Sequence, residues 1–508
     1  PTPLRLPSLL AFLLALATPL GALTLRVHPS ATGANNGTSW TDAFPDLQSA
    51  LLAASHGDEL WVAGGTYYPD LGIGQTANNR NSTFALRSDI GLYGGFAGFE
   101  LIREDRNFAT HPTILSGDLL QNNNTTGSTL DDAYHVVTGN TTGPTAILDG
   151  FFITSGNANG AAPNNGGGGL ICNGGGSPTI RNCAFLGNFA VDLGGAAYIN
   201  LSSAPSFTNC TFSGNQASFL GGAMCLTNSS TPTLTNCTFA KNSATGLSGF
   251  GGALYSSPSS GPTLTNAILW NNSATTDGNQ IHGPLAPGSS HNLVEGTLPG
   301  GHVVANTDPL FIRNPHPGPD GLWTGLLDND YGDLQLQAAS PARELGLNAA
   351  NTTNLDLAAR SRHQNGLIDL GAYEIPLLLT VTSPNDSGPG SLRATIASIP
   401  TPGGATITFD PTLDGQTITL GSGQLLLDRS LVIDGSTLPA GITIDANQSS
   451  RVFEITVGQT VVLNTVTLRG GKTADGATGA NGTDNPGGTG GPGAPGIPSG
   501  NGGGILNN

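Results

Sequence analysis

A ten-residue phrase returns in the middle of this chain at almost constant spacing. Residues 206–215 read SFTNCTFSGN, and residues 233–242 read TLTNCTFAKN. A looser copy, RNCAFLGN, ends at Asn188, and another, TNAILWNN, ends at Asn272. Alignment on the last residue gives Asn188, Asn215, Asn242 and Asn272, and alignment on Gly-Gly gives Gly169, Gly195, Gly222 and Gly252, in steps of 26, 27 or 30. Cys183, Cys210 and Cys237 share one position, filled by Ala267 in the next copy. A second position is read as Cys172, Tyr198, Cys225 and Tyr255. A unit this short cannot bury an apolar face alone, so copies must stack, and short strand-like runs between turn residues make the stack a solenoid.

One copy divides into strand-like runs at 194–200, 206–212 and 216–220, with turns between. The expected fold is therefore all-β, a right-handed parallel β-helix with three strands per coil. Stacking brings equivalent residues to about 4.8 Å, so Asn188, Asn215, Asn242 and Asn272 are expected to form an amide ladder at a corner of positive φ. The Cys183, Cys210 and Cys237 column is expected inside, as a stack of thiols rather than disulfides.

Composition excludes several alternatives. With 75 Gly and 34 Pro against only 10% charged residues, long helices are not expected, and 37% apolar residues gathered in short runs exclude disorder. The net charge is −17, with 17 Lys and Arg spread thinly, which excludes nucleic acid as a partner. An anionic polysaccharide would be repelled unless Ca²⁺ bridged it; Ca²⁺ is the one cofactor the sequence leaves open. Residues 1–22 carry one Arg, an apolar run and small residues near Ala22, and read as a signal peptide. Nothing after them is long and apolar enough to cross a bilayer. The expectation is a monomer, secreted or held at the cell surface.

The solenoid is expected to span 23–299, with a short amphipathic helix carrying Phe44, Leu47, Leu51 and Ala54 as its cap. A similar opening at 377–409, with Leu392, Ile396 and Ile399 at helical spacing, predicts a second, incomplete solenoid in tandem over 376–508. Residues 471–504 are Gly-rich without a strict period and read as an insertion. Gly503-Gly504 then reads as the opening of a further coil, so the chain is expected to continue beyond Asn508.

Two resemblances follow from these motifs. The Gly-Gly-Ala and Phe-x-x-Asn repeats at about 165–275 resemble those of chlamydial polymorphic outer-membrane proteins and related bacterial surface β-helices. Between the solenoids, DPLF (308–311), DLQL (333–336), SPA (340–342), Gly346, Arg360 and IDLGAYE (368–374) resemble, in order, the bacterial choice-of-anchor Q module. That module, here 300–375, ends surface β-helices that carry varied sorting signals. Residues 29–160, with GTSW, GGFAGFE and LDGFFITSGNA, resemble the start of the same exported proteins.

β-Helix enzymes that cleave polysaccharides place acids and bases on adjacent coils. The repeats offer little of this, since residues 170–276 contain only Arg181, Asp192 and Lys241 as charges and no His. Asn306-Thr307-Asp308 matches the first polygalacturonase motif, but the later motifs do not follow. The one constellation with acid, base or Ca²⁺-binding potential is His111, Asp118, Asp131, Asp132, His135 and Asp149. Turn chemistry reads Gly117-Asp118 and Asp149-Gly150 as corners and the rest as a loop, so no catalytic residue is assigned. The first reading is a non-catalytic surface β-helix, adhesive or structural, that binds a polysaccharide or cell-surface glycan. A lyase or glycoside hydrolase of the same fold, and a passive spacer for a further domain, are the alternatives.

Overall fold

The computed structural model describes residues 22–296, 303–323, 328–362, 367–400, 404–456, 459, 461–473 and 505–507. Residues 1–21 of the stretch 1–22 read above as a signal peptide, and residues 474–504, most of the Gly-rich stretch, lie outside the described residues.

The repeated phrase makes one corner and two strands of a parallel β-solenoid. In one coil the strands are Ala197–Ile199, Ser206–Thr208, Thr211–Ser213 and Gln216–Ala217. They belong to parallel sheets of seven, eight, nine and five strands, called here the first to fourth sheets. Register follows the repeat, with Phe185 opposite Phe212 and Phe212 opposite Phe239. The coil thus has four strands where three were expected. The run 206–212 is broken because Asn209 adopts φ 53°, and a left-handed residue turns the chain out of the pleat. Asn182, Asn236 and Asn266 repeat that corner, at φ 51°, 54° and 57°.

A second column of asparagines lies inside. Asn188 donates to Oδ1 of Asn215 at 3.1 Å, Asn215 to Asn242 at 2.9 Å, and Asn242 to Asn272 at 2.8 Å. Each of these amides also donates to an interior carbonyl, that of Asn215 to Phe185 at 2.9 Å. The expected positive φ falls one residue earlier than this ladder, on Gly187, Gly214, Lys241 and Asn271. Beside the ladder the rings of Phe185, Phe212 and Phe239 stack, with centroids 5.0 and 4.4 Å apart. All five cysteines are free and buried. Cys172, however, pairs with Ile199 and points inward, while Ile171 holds the place opposite Tyr198. Four consecutive glycines, 166–169, leave the frame of that coil open in the sequence, and hydrogen bonding sets it one residue from the expected alignment.

The helix Leu47–Ala53, capped by Asp46 on the Ser49 amide, packs on the first two strands, Thr24–Val27 and Glu59–Ala63. Phe44 precedes it and bridges to Val27 instead of extending the helix. A second capped helix, Leu392–Ser398, opens residues 377–469, whose strands form parallel sheets over a separate apolar core.

Residues 303–305 add a last parallel strand to the third sheet, and the described residues from 306 to 375 then leave the coil. They fold back along its flank, where Phe311, Leu334, Leu336 and Leu370 cover the outer face of the third sheet at Ala240, Ile268 and Leu293. The corner asparagines hold this segment coil by coil. Asn266 exchanges hydrogen bonds with Leu347, Asn236 donates to Asn351, and Asn209 donates to Thr353 and to the Leu355 carbonyl. Arg362, fully buried, closes the contact by donating to Asn209 and Glu374, each at 2.8 Å.

Candidate functional site

Of the six polar residues singled out in the sequence, the structure gathers three. Oxygens of Asp118, Asp131 and Asp132 lie within 4.8 Å of one another. Asp118 follows the third-sheet strand Thr113–Ser116, and its carboxylate accepts the amides of Asn122 and Asn123, which folds the chain back over the coil. The loop closes where the Ala133 amide meets the Gly117 carbonyl at 2.8 Å. Asp132 is 1% exposed and accepts both its hydrogen bonds from the Asn123 carboxamide, each at 3.1 Å. Burial pushes the Asp132 carboxyl up to about 8; the Asn123 amide opposes this, and the charges of Asp118 and Asp131 add to it.

The other three stand apart from that group. Asp149, in the second-sheet strand Ile147–Asp149, is clamped by Arg106 at 2.8 Å and Arg181 at 2.6 Å, with the Asn182 amide at 2.8 Å. Burial opposes its charge, but the two guanidiniums and the amide hold it below the ordinary carboxylate value. His135 is engaged at both ring nitrogens, by the Gly167 carbonyl and Asn164, and burial lowers its pKa. His111 is half-buried just before the strand Thr113–Ser116. An acid and a base facing one open groove are therefore not assembled from these six.

The exposed feature of the solenoid is aromatic. On the first sheet the outward row runs Ile171, Tyr198, Cys225, Tyr255 and His282, in cross-strand register. Tyr198, Tyr255 and His282 are half-buried, while Cys225 between the two tyrosines is covered. Tyr255 and His282 stack at 5.6 Å with ring planes 5° apart, and Phe250 packs on His282 at 4.7 Å. Leu193, Leu220 and Phe250 form the adjoining column, and Phe219 beside them is 44% exposed. Asn200, Thr227 and Asn228 border the row with linked side chains, and Thr227 also reaches the Tyr198 hydroxyl at 3.1 Å. The Nδ1 of His282 lies 3.2 Å from the Asp277 carboxylate at one end.

Residues 116–298 match a family model. It is the one described as the right handed beta helix region. That stretch holds both the acidic group and the aromatic row. No curated protein sequence matches the chain. Among solved structures, the pectate lyase Pel9A is similar at 13% identity, covering 70% of this chain and 97% of its own, with a TM-score of 0.32. The PL6 family alginate lyase AlyGC is similar at 11% identity, covering 85% of this chain and 71% of its own, with a TM-score of 0.16. Among the described residues no helix is long and apolar enough to cross a membrane.

The sequence places Tyr198 and Tyr255 in one column, and the column by itself fits an outward row and a core position equally. Alternation around inward Ala197 and Ile199 is the signal that turns Tyr198 outward. Phe250 and His282 were missed, since they come from a bridge and a two-residue strand.

Proposed function

We propose that this protein is a non-catalytic β-helix that works outside the cell or at its surface, binding a neutral glycan along the outer face of its first sheet. The observation that carries this reading is the half-exposed row of Tyr198, Tyr255 and His282 with Phe250 and Phe219 alongside. A pyranose ring presents C–H groups on its flat face, and these pack against the negative face of an aromatic ring. Amides and hydroxyls bordering such a surface then orient the sugar hydroxyls. A net charge of −17 disfavours an acidic polymer, which makes a neutral one the better fit. Against the hydrolase or lyase alternative stands the burial of the clustered carboxylates, with Asp118 only 8% and Asp132 only 1% exposed. Groups so enclosed do not meet a polymer at the surface.

Affinity electrophoresis of the purified chain in gels containing neutral or acidic polysaccharides, with and without Ca²⁺, tests this. Retardation by a neutral glycan that Tyr255→Ala abolishes, without new reducing or unsaturated ends, is the expected result. Cleavage of any polymer, or retardation unchanged in Tyr255→Ala, overturns it.

A further inference from the structure

Side-chain oxygens with no hydrogen-bond donor collect around the acidic group. Oδ2 of Asp131 and the Oδ1 atoms of Asn123 and Asn157 are buried and without a partner. Asn123 and Asn157 are themselves only 5% and 4% exposed, and with Asp132 they line one cavity of about 30 Å³. Their orientation is set by their other ends. The Asn123 amide nitrogen is committed to both oxygens of Asp132, and that of Asn157 to the Thr129 carbonyl at 2.6 Å. Rotating either carboxamide would turn an oxygen onto an acceptor, so the acceptor edges are left unpaired.

The nearest cation does not relieve this. Arg80 spends its guanidinium on the carbonyls of Asp132 and Asn157 and on Oδ1 of Asn159, and its plane lies over the Tyr134 ring at 4.1 Å. Among the described residues the ion pairs include none to Asp118, Asp131 or Asp132. Three carboxylates and two carboxamide oxygens, gathered with little positive charge, have the composition of a hard-cation site.

We propose that Asp118, Asp131 and Asp132, with the carboxamide oxygens of Asn123 and Asn157, bind a divalent cation of the calcium class. Oxygen ligands on an irregular loop suit Ca²⁺, which accepts variable geometry, better than Mg²⁺, which demands a near-octahedral shell and keeps its waters. The cavity has room for one ion and about one water, at roughly 10–15 Å³ for each water-sized sphere. Its role is structural. Trp323, Asn329 and Tyr331 of the folded-back segment close the other side of the cavity, and the two rings stack at 5.6 Å. Asn329 Oδ1 is also unpartnered. The cation fastens the loop 117–133 at the place where the flanking segment meets the coil, independently of any glycan.

Isothermal titration of the chelator-stripped full chain with CaCl₂ alone, and thermal unfolding with and without it, test this without glycan present. One Ca²⁺ per chain and a raised Tm are expected, with MgCl₂ weaker. Asp132→Asn is expected to weaken Ca²⁺ binding by about 100-fold or more, since even second-shell changes at metal sites cost 10–100-fold. Asp131→Asn, at a half-buried position, is expected to do the same in a chain whose stripped form melts as the wild type does. No binding by the wild type, or equal binding by both variants, overturns the proposal and leaves a cavity that holds only water.

Discussion

Residues 165–275 and residues 377–469 both coil in parallel strands, yet only the first repeats itself. The first has a polar interior feature, the ladder Asn188, Asn215, Asn242 and Asn272, in which each side chain donates to or accepts from an identical neighbour one coil away. The second is filled by Ile407, Ile418, Leu427, Ile433, Ile444 and Phe453, which need only fill volume. A buried amide without its partner loses its hydrogen bonds in a low-dielectric interior, whereas one aliphatic side chain replaces another at modest cost. Sequence repetition is thus a consequence of the polar ladder, and coiling itself does not require it.

The largest expected contrast lies between two cross-strand Asp–Arg pairs in equivalent register. Asp149, on the coil just before the first region, is opposite its Arg181, and Asp445 is opposite Arg469 in the second. Asp149→Ala removes a 2% exposed carboxylate from between two guanidiniums and should cost about 4 kcal/mol in denaturant unfolding. Asp445→Ala, whose partner Arg469 is 62% exposed, should leave the midpoint almost unmoved. The pKa of Asp149 is lowered on folding, so its contribution is complete above the ordinary carboxylate value. It is lost as pH falls from there through the lower folded value, and Asp149→Ala should flatten that acid limb. Equal costs for the two variants would break the comparison.

Next comes the ladder. Asn215→Leu keeps the volume but strips partners from Asn188, Asn242 and the Phe185 carbonyl, and should cost about 3 kcal/mol. Gly214→Ala sharpens the role of the flanking segment. Gly214 sits at φ 65°, and a Cβ there would come within 2.5 Å of the Trp323 ring. About 2 kcal/mol of destabilisation is expected, with a shift in tryptophan emission. Lys241→Ala, in the same column with the same left-handed backbone, should change stability by less than about 0.5 kcal/mol. The smallest effect of interior substitution is expected in the second region, where Ile444→Val should cost about 1 kcal/mol by the same unfolding assay. A cost matching that of Asn215→Leu would mean the apolar core is as demanding as the ladder.

Much of the architecture was legible because it repeats. The period, the inward Cys183, Cys210 and Cys237 column, the amide ladder and the helix at Leu392–Ser398 all follow from local pattern. The break at Asn209 was not, because an Asn flanked by Thr and Cys reads as strand until its φ is known. Nor was the function of the corner column, since Asn182, Asn209, Asn236 and Asn266 repeat as regularly as the inner ladder while three of them serve to hold residues 347–355. Of the candidate constellation, Asp118, Asp131 and Asp132 were named, but Asn123 and Asn157 were not. Their relevance comes from unpaired oxygens, which no spacing reveals.

By itself the sequence determined that the chain must stack, what the period is, and which residues line the axis, because a repeated unit meets its own copy at a fixed offset. The tertiary structure alone decided that the chain after Ala305 turns back along the solenoid, that Tyr255 meets His282, and that Asn123 and Asp132 share a cavity with Asn157. Those contacts join residues with no common period, and their partners are chosen by shape and by unsatisfied hydrogen bonds, which exist only once the coils are in place.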